Sequence, residues 1–224
     1  VRLDISWQLN IHIILKRNKQ IYKLDLSNST LTPLTEGGYE KSGPIYSPKN
    51  GDNRIVFWAT HNEGEEVIED ICLRNENGEI ITLMHGDENN RYYYPMWKDE
   101  NTIYFTNSHT IFHSDDIYKY SLINSSNEKT NFNGIVDIFD DSDCFLINDD
   151  YLGFSSNRHL SLLTIKSDYC LYLVNLKTNN VTRLKTTNTN YDELGGAYSP
   201  YSANSYQVKK IELSKISPMP SGLI

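Results

Sequence analysis

Short stretches in which apolar and polar residues alternate run along most of the chain, and turn-forming residues separate them. The clearest is the segment 21–26, with the sequence IYKLDL, which is followed by Ser27, Asn28 and Ser29. Alternation with a period of two is typical of a β-strand with one buried face, whereas an amphipathic helix has a period near 3.6. No sustained helical period occurs, so the sequence predicts strands joined by tight turns and no long helix.

This strand belongs to a repeat, because similar strands return at intervals of about 50 residues, a length typical of repeat architectures. The copies of this strand are 21–26, 70–73, 116–120 and 171–176. A strand that precedes each copy recurs at 11–15, 54–58, 102–106 and 151–154. An earlier element recurs at 6–7, 44–48, 95–97 and 197–200, and the segment 144–147 replaces it in the repeat that begins near Asp137. A short strand after each copy is the fourth element, so each repeat is predicted to contain four strands.

A single four-stranded meander cannot bury both of its faces, so the repeats must stack against one another around an axis. The predicted fold class is therefore all-β: a β-propeller of four-stranded antiparallel blades, with about four to five blades present. The repeats span approximately 1–43, 44–94, 95–136 and 137–196, a partial repeat covers 197–213, and 214–224 forms a C-terminal linker or tail.

Three segments carry a resemblance to a known repeat: 21–26 (IYKLDL) with Leu34 and Thr35, 44–51 (PIYSPKNG) and 154–158 (FSSNR). Over roughly residues 5–200 the pattern resembles the TolB-like repeat, a WD40-like (PD40-type) propeller repeat. The resemblance implies a scaffold that binds a protein or peptide partner, in a periplasmic or otherwise extracytoplasmic location. The same repeat occurs in the propellers of prolyl-oligopeptidase relatives. One alternative function is therefore the gating domain of such a peptidase. A second alternative is a metal-dependent polysaccharide lyase.

The number of repeats differs from that family, whose propellers usually have six or more blades. Four repeats and a partial fifth predict an incomplete or strained ring, unless the segment 206–213 closes a small one. An incomplete ring leaves an apolar blade face exposed, and such faces favour self-association. We therefore expect self-association if the ring is incomplete.

Composition and charge narrow the set of partners. The 224 residues include 16 tyrosines, which favour strands, and carry a formal net charge of −8. That acidic average would repel a phosphate backbone, so nucleic acid is excluded as a partner. No apolar run approaches the roughly 20 residues of a transmembrane helix, and no signal peptide is recognisable. Cys72, Cys144 and Cys170 lack a zinc or redox spacing; buried thiols are favoured, and one disulfide with a spare thiol stays open.

The histidines are the candidates for a metal site. His109 and His113 precede Asp115, but the four-residue spacing falls between two predicted strands rather than on one helix face, so surface polar residues are the favoured interpretation. His12, His61, His85 and His159 are spread over the sequence and could converge on a channel. No cofactor is predicted.

Two acidic runs have a simpler interpretation than metal binding. The run Asp137, Asp140, Asp141, Asp143, Asp149 and Asp150 offers calcium ligands but lacks the order of an EF-hand loop, so a solvated loop is favoured. The patch Glu63, Glu65, Glu66, Glu69 and Asp70 is likewise interpreted as a solvent-facing loop.

The candidate ligand-facing residues are Tyr92, Tyr93, Trp97 and Arg158. The aromatic run 92–94 with Trp97 could form a stacking face for a sugar or peptide, although packing between blades is the favoured role. The sequence has no nucleophile elbow, P-loop or dinucleotide motif, so no catalytic residue is assigned. The leading hypothesis is a non-enzymatic binding scaffold.

Overall fold

The computed structural model describes residues 6–7, 12–109, 114–132, 139–158 and 169–184. These residues form sixteen β-strands in four sheets of four, and the described ranges contain no helix. The first blade comprises β1 Ser6–Trp7, β2 His12–Arg17, β3 Gln20–Asp25 and β4 Thr30–Pro33. The second comprises β5 Glu40–Tyr46, β6 Ile55–Glu63, β7 Glu66–Arg74 and β8 Ile80–Met84. The third comprises β9 Asn90–Asp99, β10 Thr102–His109, β11 Ser114–Ser121 and β12 Ser126–Lys129, and the fourth β13 Asp141–Asn148, β14 Tyr151–Ser156, β15 Cys170–Asn175 and β16 Val181–Arg183.

Each sheet is an antiparallel meander in which neighbours in sequence are neighbours in space. The turns follow from residue type. Between β2 and β3, Asn18 and Lys19 both have positive φ, 48° and 66°, which is the backbone of a two-residue type I′ hairpin. Between β7 and β8, Gly78 has φ 89°, and the side chain of Asn75 accepts the N–H of Glu79 at 2.9 Å. These local signals fix the pairing of the strands.

The blades stack in chain order. The first strand of each later blade packs on the middle strands of the blade before it: β5 on β2 and β3, β9 on β6 and β7, and β13 on β10 and β11. The first strands also contact one another, β1 with β5, β5 with β9 and β9 with β13. They therefore lie at the inner edge of the stack, and the largely exposed last strands lie at its outer edge.

Three apolar clusters fill the spaces between consecutive blades. Side chains alternate between the two faces of a strand, so Phe57 packs toward the first blade while Val56 packs toward the third. Phe105 and Phe154 hold the position of Phe57 in the next two blades, and all three rings are fully buried. Stacking of this kind is what the repeat requires, since one blade alone leaves a face of each strand in water.

The predicted fold class is confirmed: the described chain is all-β, with four four-stranded antiparallel blades. The first strands of the second and third blades begin at Glu40 and Asn90, a few residues before the repeat starts at 44 and 95. The partial repeat 197–213 and the tail 214–224 lie outside the described residues and stay predictions. The three cysteines are buried, and no disulfide joins them within the described residues. Within the described ranges, no helix is long and apolar enough to cross a membrane.

Candidate functional site

The inner strands of three blades share a bulge at one repeat position. Gly43, Tyr94 and Asp143 hold it in β5, β9 and β13, with φ of 56°, 53° and 51°. The strand register shifts beside each of these residues. A Cβ at Gly43 would lie 1.8 Å from the ring of Trp58, so this position needs glycine for space as well as for its backbone. Bulges commonly redirect side chains next to functional sites.

A cleft of about 390 Å³ opens beside these bulges, at the end of the blades where β9, β11 and β13 begin. Its volume lies in the range of small-ligand pockets. Strands of the second, third and fourth blades all contribute to it. The lining residues are Trp58, Glu69, Tyr93, Tyr94, Asp115, Ser142, Asp143 and Tyr169.

The aromatic wall of the cleft is held by contacts between rings. Trp58 and Tyr94 meet edge to face with centroids 5.1 Å apart, and Tyr93 and Tyr94 do so at 4.9 Å. Such pairs are favoured over face-to-face stacks by the ring quadrupole. The left-handed backbone at Tyr94 places two adjacent tyrosines in the same wall, which an unbroken strand would direct to opposite faces.

Burial makes two carboxyl groups of the acidic wall, those of Asp115 and Glu69, harder to ionise. Burial raises the pKa of Asp115, while hydrogen bonds from Ser108 and Tyr93 oppose that rise. The Tyr93 hydroxyl donates to Asp115 Oδ1 at 3.2 Å. Burial also raises the pKa of Glu69, and the charge of Arg91 opposes it. A cation that entered the cleft would stabilise the ionised form of both carboxylates.

Asp140 links the third blade to the fourth behind this wall. Its carboxylate accepts the side-chain amide of Asn157 at 2.6 Å and the Tyr169 hydroxyl at 3.2 Å. It also accepts the backbone N–H of Asp115 at 3.3 Å. The position of Asp115 in the cleft therefore depends on how the two blades are joined.

The structure places the four candidate ligand-facing residues in different surroundings. Tyr93 lines the cleft, whereas Tyr92 is buried between the second and third blades. Trp97 is 3% exposed and donates from Nε1 to the carbonyl of Ile45 at 3.0 Å. Arg158 lies within the fourth blade, where its guanidinium pairs with Asp141 at 2.5 Å.

The three candidate metal ligands of the third blade are not all described. His113 lies outside the described residues. Asp115 turns toward the cleft, while His109 Nε2 lies 3.7 Å from Oδ2 of Asp116, the next residue along the strand. Of the other histidines, His61 and His85 come together within the second blade, with ring centroids 6.2 Å apart. His159 and the side chain of His12 lie outside the described part of the chain.

Both acidic runs were interpreted as solvated loops, and the structure corrects this in part. Asp141 is 1% exposed and Asp70 is 5% exposed, because both belong to strands and face neighbouring blades. Glu63, Glu65 and Glu66 are exposed at the β6–β7 turn, as expected. Sequence reasoning also missed Trp58 and the contribution of Glu69 and Asp143 to a cleft. Glu69 pairs with Thr60, which places it on the same face of the second blade as Trp58.

Comparisons with solved structures agree with this architecture. TolB from Acinetobacter baumannii is similar over 84% of this chain and 44% of its own, with 19% identity and a TM-score of 0.61. An oligogalacturonate lyase in complex with manganese is similar over 78% of this chain and 50% of its own, with 11% identity and a TM-score of 0.58. A puromycin-hydrolyzing peptidase of Mycobacterium tuberculosis is similar over 84% of this chain and 30% of its own, with 11% identity and a TM-score of 0.55.

This chain thus spans half or less of the length of each of these proteins. The sequence matches no family model and no curated protein. At these identities the likeness concerns the fold, and the fold is a TolB-like β-propeller.

Proposed function

We propose that this chain is a non-enzymatic propeller scaffold that binds a protein or peptide partner, and that the cleft receives a basic side chain of that partner. The observation that carries the proposal is the composition of the cleft. Glu69, Asp115 and Asp143 supply carboxylates, and Trp58 and Tyr94 supply ring faces and edges. A guanidinium satisfies both kinds of group, because it hydrogen-bonds carboxylates and stacks on aromatic rings.

The position of the cleft also favours a peptide. It lies toward one end of three consecutive blades, where propellers expose their loops to partners. No lysine or arginine is among the residues that line it, within the described part of the chain. The net charge of −8 adds a long-range attraction for basic partners.

We expect a short peptide with a central arginine to bind and to change the fluorescence of Trp58, and matched peptides with glutamine or glutamate at that position to bind more weakly. Asp115→Asn and Asp143→Asn should each weaken binding by about tenfold or more, since a hydrogen bond to a charged group contributes about 1.5–3 kcal/mol. Asparagine is isosteric with aspartate and tolerates the left-handed backbone at 143. Titration of the fluorescence measures both effects.

The control is Asp149→Asn, which makes the same change of charge at an exposed residue of the β13–β14 turn, at the other end of the blade. It should leave affinity nearly unchanged. Because burial raises the pKa of Asp115 and Glu69, the cleft should lose charge on acidification above the ordinary carboxyl range, and affinity should fall there. Equal binding of the arginine and glutamate peptides would refute the proposal.

The second candidate function is a propeller domain of a longer enzyme. The likeness to the puromycin-hydrolyzing peptidase favours it, because this chain corresponds to 30% of that protein. In that case the cleft would hold a substrate segment for a separate hydrolase domain. The open reading frame on both sides of these 224 residues distinguishes the two functions.

A further inference from the structure

A second cluster of polar side chains lies on the opposite face of the second blade from the cleft. His61, near the end of β6, and Asp70, in β7, face the first blade, whereas Trp58 and Glu69 face the third. His85 directly follows β8 and reaches the same place. One ligand atom from each of His61, Asp70 and His85 lies within 4.8 Å of the other two.

The carboxylate of Asp70 is the fixed centre of this cluster. Its side chain is 7% exposed, and Oδ1 accepts the backbone N–H of Gly86 at 2.9 Å. A Cβ at Gly86 would lie 2.6 Å from the carbonyl oxygen of Glu69, so glycine allows the chain to pass this close to β7. The second oxygen, Oδ2, lies 3.8 Å from Nδ1 of His61, and Nδ1 of His85 lies 3.0 Å from Oδ1.

His61 is held in the orientation of a metal ligand. Its side chain is 5% exposed, and the ring of Tyr39 stacks on it with centroids 4.3 Å apart. Nε2 lies 3.2 Å from the Glu63 carboxylate, which favours the tautomer with the hydrogen on Nε2. Nδ1 then carries a lone pair, and this buried atom has no hydrogen-bond partner in the described part of the chain. A carboxylate that orients a histidine in this way is the usual outer partner of a zinc ligand.

In the third blade, a lysine lies beside the carboxylate at the corresponding repeat position. His109 and Asp116 hold the repeat positions of His61 and Asp70, and the Lys129 ammonium lies 2.8 Å from Oδ2 of Asp116. Thr82 holds the position of Lys129 in the second blade. The ion-pair partners of Asp70 among the described residues are the two imidazoles. A buried carboxylate is stabilised by a cation, and of these two blades only the third supplies a lysine for it among the described residues.

We infer that His61, Asp70 and His85 form a binding site for a divalent transition metal, with zinc as the best match, and that Glu63 orients His61. Two imidazole nitrogens and one carboxylate suit zinc and exclude the hard ions calcium and magnesium, which take oxygen ligands. Ligands of a tetrahedral zinc lie about 3.3 Å apart, so a rotation of the half-exposed His85 completes the set. Three protein ligands leave the fourth position open to solvent.

The test measures zinc bound to the purified chain by equilibrium dialysis with elemental analysis, and cobalt binding by its visible absorption. The wild type should take up one zinc ion per chain, and cobalt should give the absorption of a low-coordinate site with nitrogen ligands. His85→Gln and Asp70→Asn should abolish this uptake. Glu63→Gln should weaken it by about 10–100-fold, the usual effect of losing an outer partner. Zinc should also raise the melting temperature of the wild type and not of His85→Gln.

The control is His109→Gln, the same substitution at the histidine that holds the repeat position of His61 in the third blade, and it should leave zinc uptake unchanged. His85 is half-exposed, so its substitution leaves the fold intact, and far-ultraviolet circular dichroism checks this. Uptake of zinc by His85→Gln equal to that of the wild type would overturn the inference, as would displacement of zinc by excess calcium. Loss of peptide binding in the cleft variants has no bearing on this result, because the two sites face different blades.

Discussion

Replacing Trp97 with alanine should lower the free energy of unfolding by about 3–5 kcal/mol. The indole is 3% exposed and fills the space between the second and third blades. Its Nε1 donates to the carbonyl of Ile45, and the guanidinium of Arg54 lies 5.3 Å from its ring centre. Alanine would leave a large cavity and remove the side-chain hydrogen bond to the Ile45 carbonyl at once. Urea unfolding followed by circular dichroism gives the difference.

Two further variants separate the causes of that loss. Trp97→Phe keeps a ring in the interface but removes the hydrogen bond, so it should cost less than the alanine variant. Ile123→Ala changes a side chain that is 79% exposed and should alter stability by no more than about 0.5 kcal/mol. If Trp97→Ala were as stable as Ile123→Ala, the indole would not pack between the blades as described.

The blade architecture could be predicted because local signals, namely the apolar–polar alternation and the turn residues, recur in each repeat. The alternation in 21–26 and its copies gave β3, β7, β11 and β15, and the turn residues gave the hairpins between strands. The segment 144–147 lies within β13, the first strand of the fourth blade. A period of two depends only on which face of a strand is buried, so it survives differences in residue type between repeats.

The cleft could not be predicted, because two of its causes leave no trace in composition or period. Tyr94 has positive φ, and nothing about a tyrosine signals the left-handed region. Glu69, Asp115 and Asp143 come from three blades, and the rotation from one blade to the next brings them together. The cluster of His61, Asp70 and His85 could in principle have been found from the sequence. His61 and His109 hold one repeat position, as do Asp70 and Asp116, but the contact of Lys129 with Asp116 is visible only in the folded structure.

A second large effect is expected at Arg158, where replacement by methionine should cost about 3–5 kcal/mol at neutral pH. The guanidinium is 13% exposed, pairs with the 2% exposed carboxylate of Asp141 and lies 5.0 Å from the ring centre of Phe154. It also donates to the carbonyl of Phe132 at 3.1 Å. Methionine keeps most of the aliphatic volume but leaves a buried carboxylate without its cation. Adding Asp141→Asn to this variant should recover much of the loss.

The pH dependence identifies the unpaired carboxylate as the cause. Burial raises the pKa of Asp141 to about 6, against the lowering effect of Arg158, and the pKa in the unfolded chain is about 3.9. At pH values between these two pKa values, Asp141 is protonated more often in the folded chain than in the unfolded chain. Lowering the pH through this range therefore increases the contribution of Asp141 to the free energy of unfolding. Without Arg158 the pKa of Asp141 in the folded chain rises further, so the pH range in which protonation favours folding extends to higher pH. The cost of Arg158→Met, measured against the double variant with Asp141→Asn, should therefore be smaller at about pH 5 than at about pH 8. An equal cost at both pH values would mean that lost packing, and not the charge of Asp141, destabilises the variant.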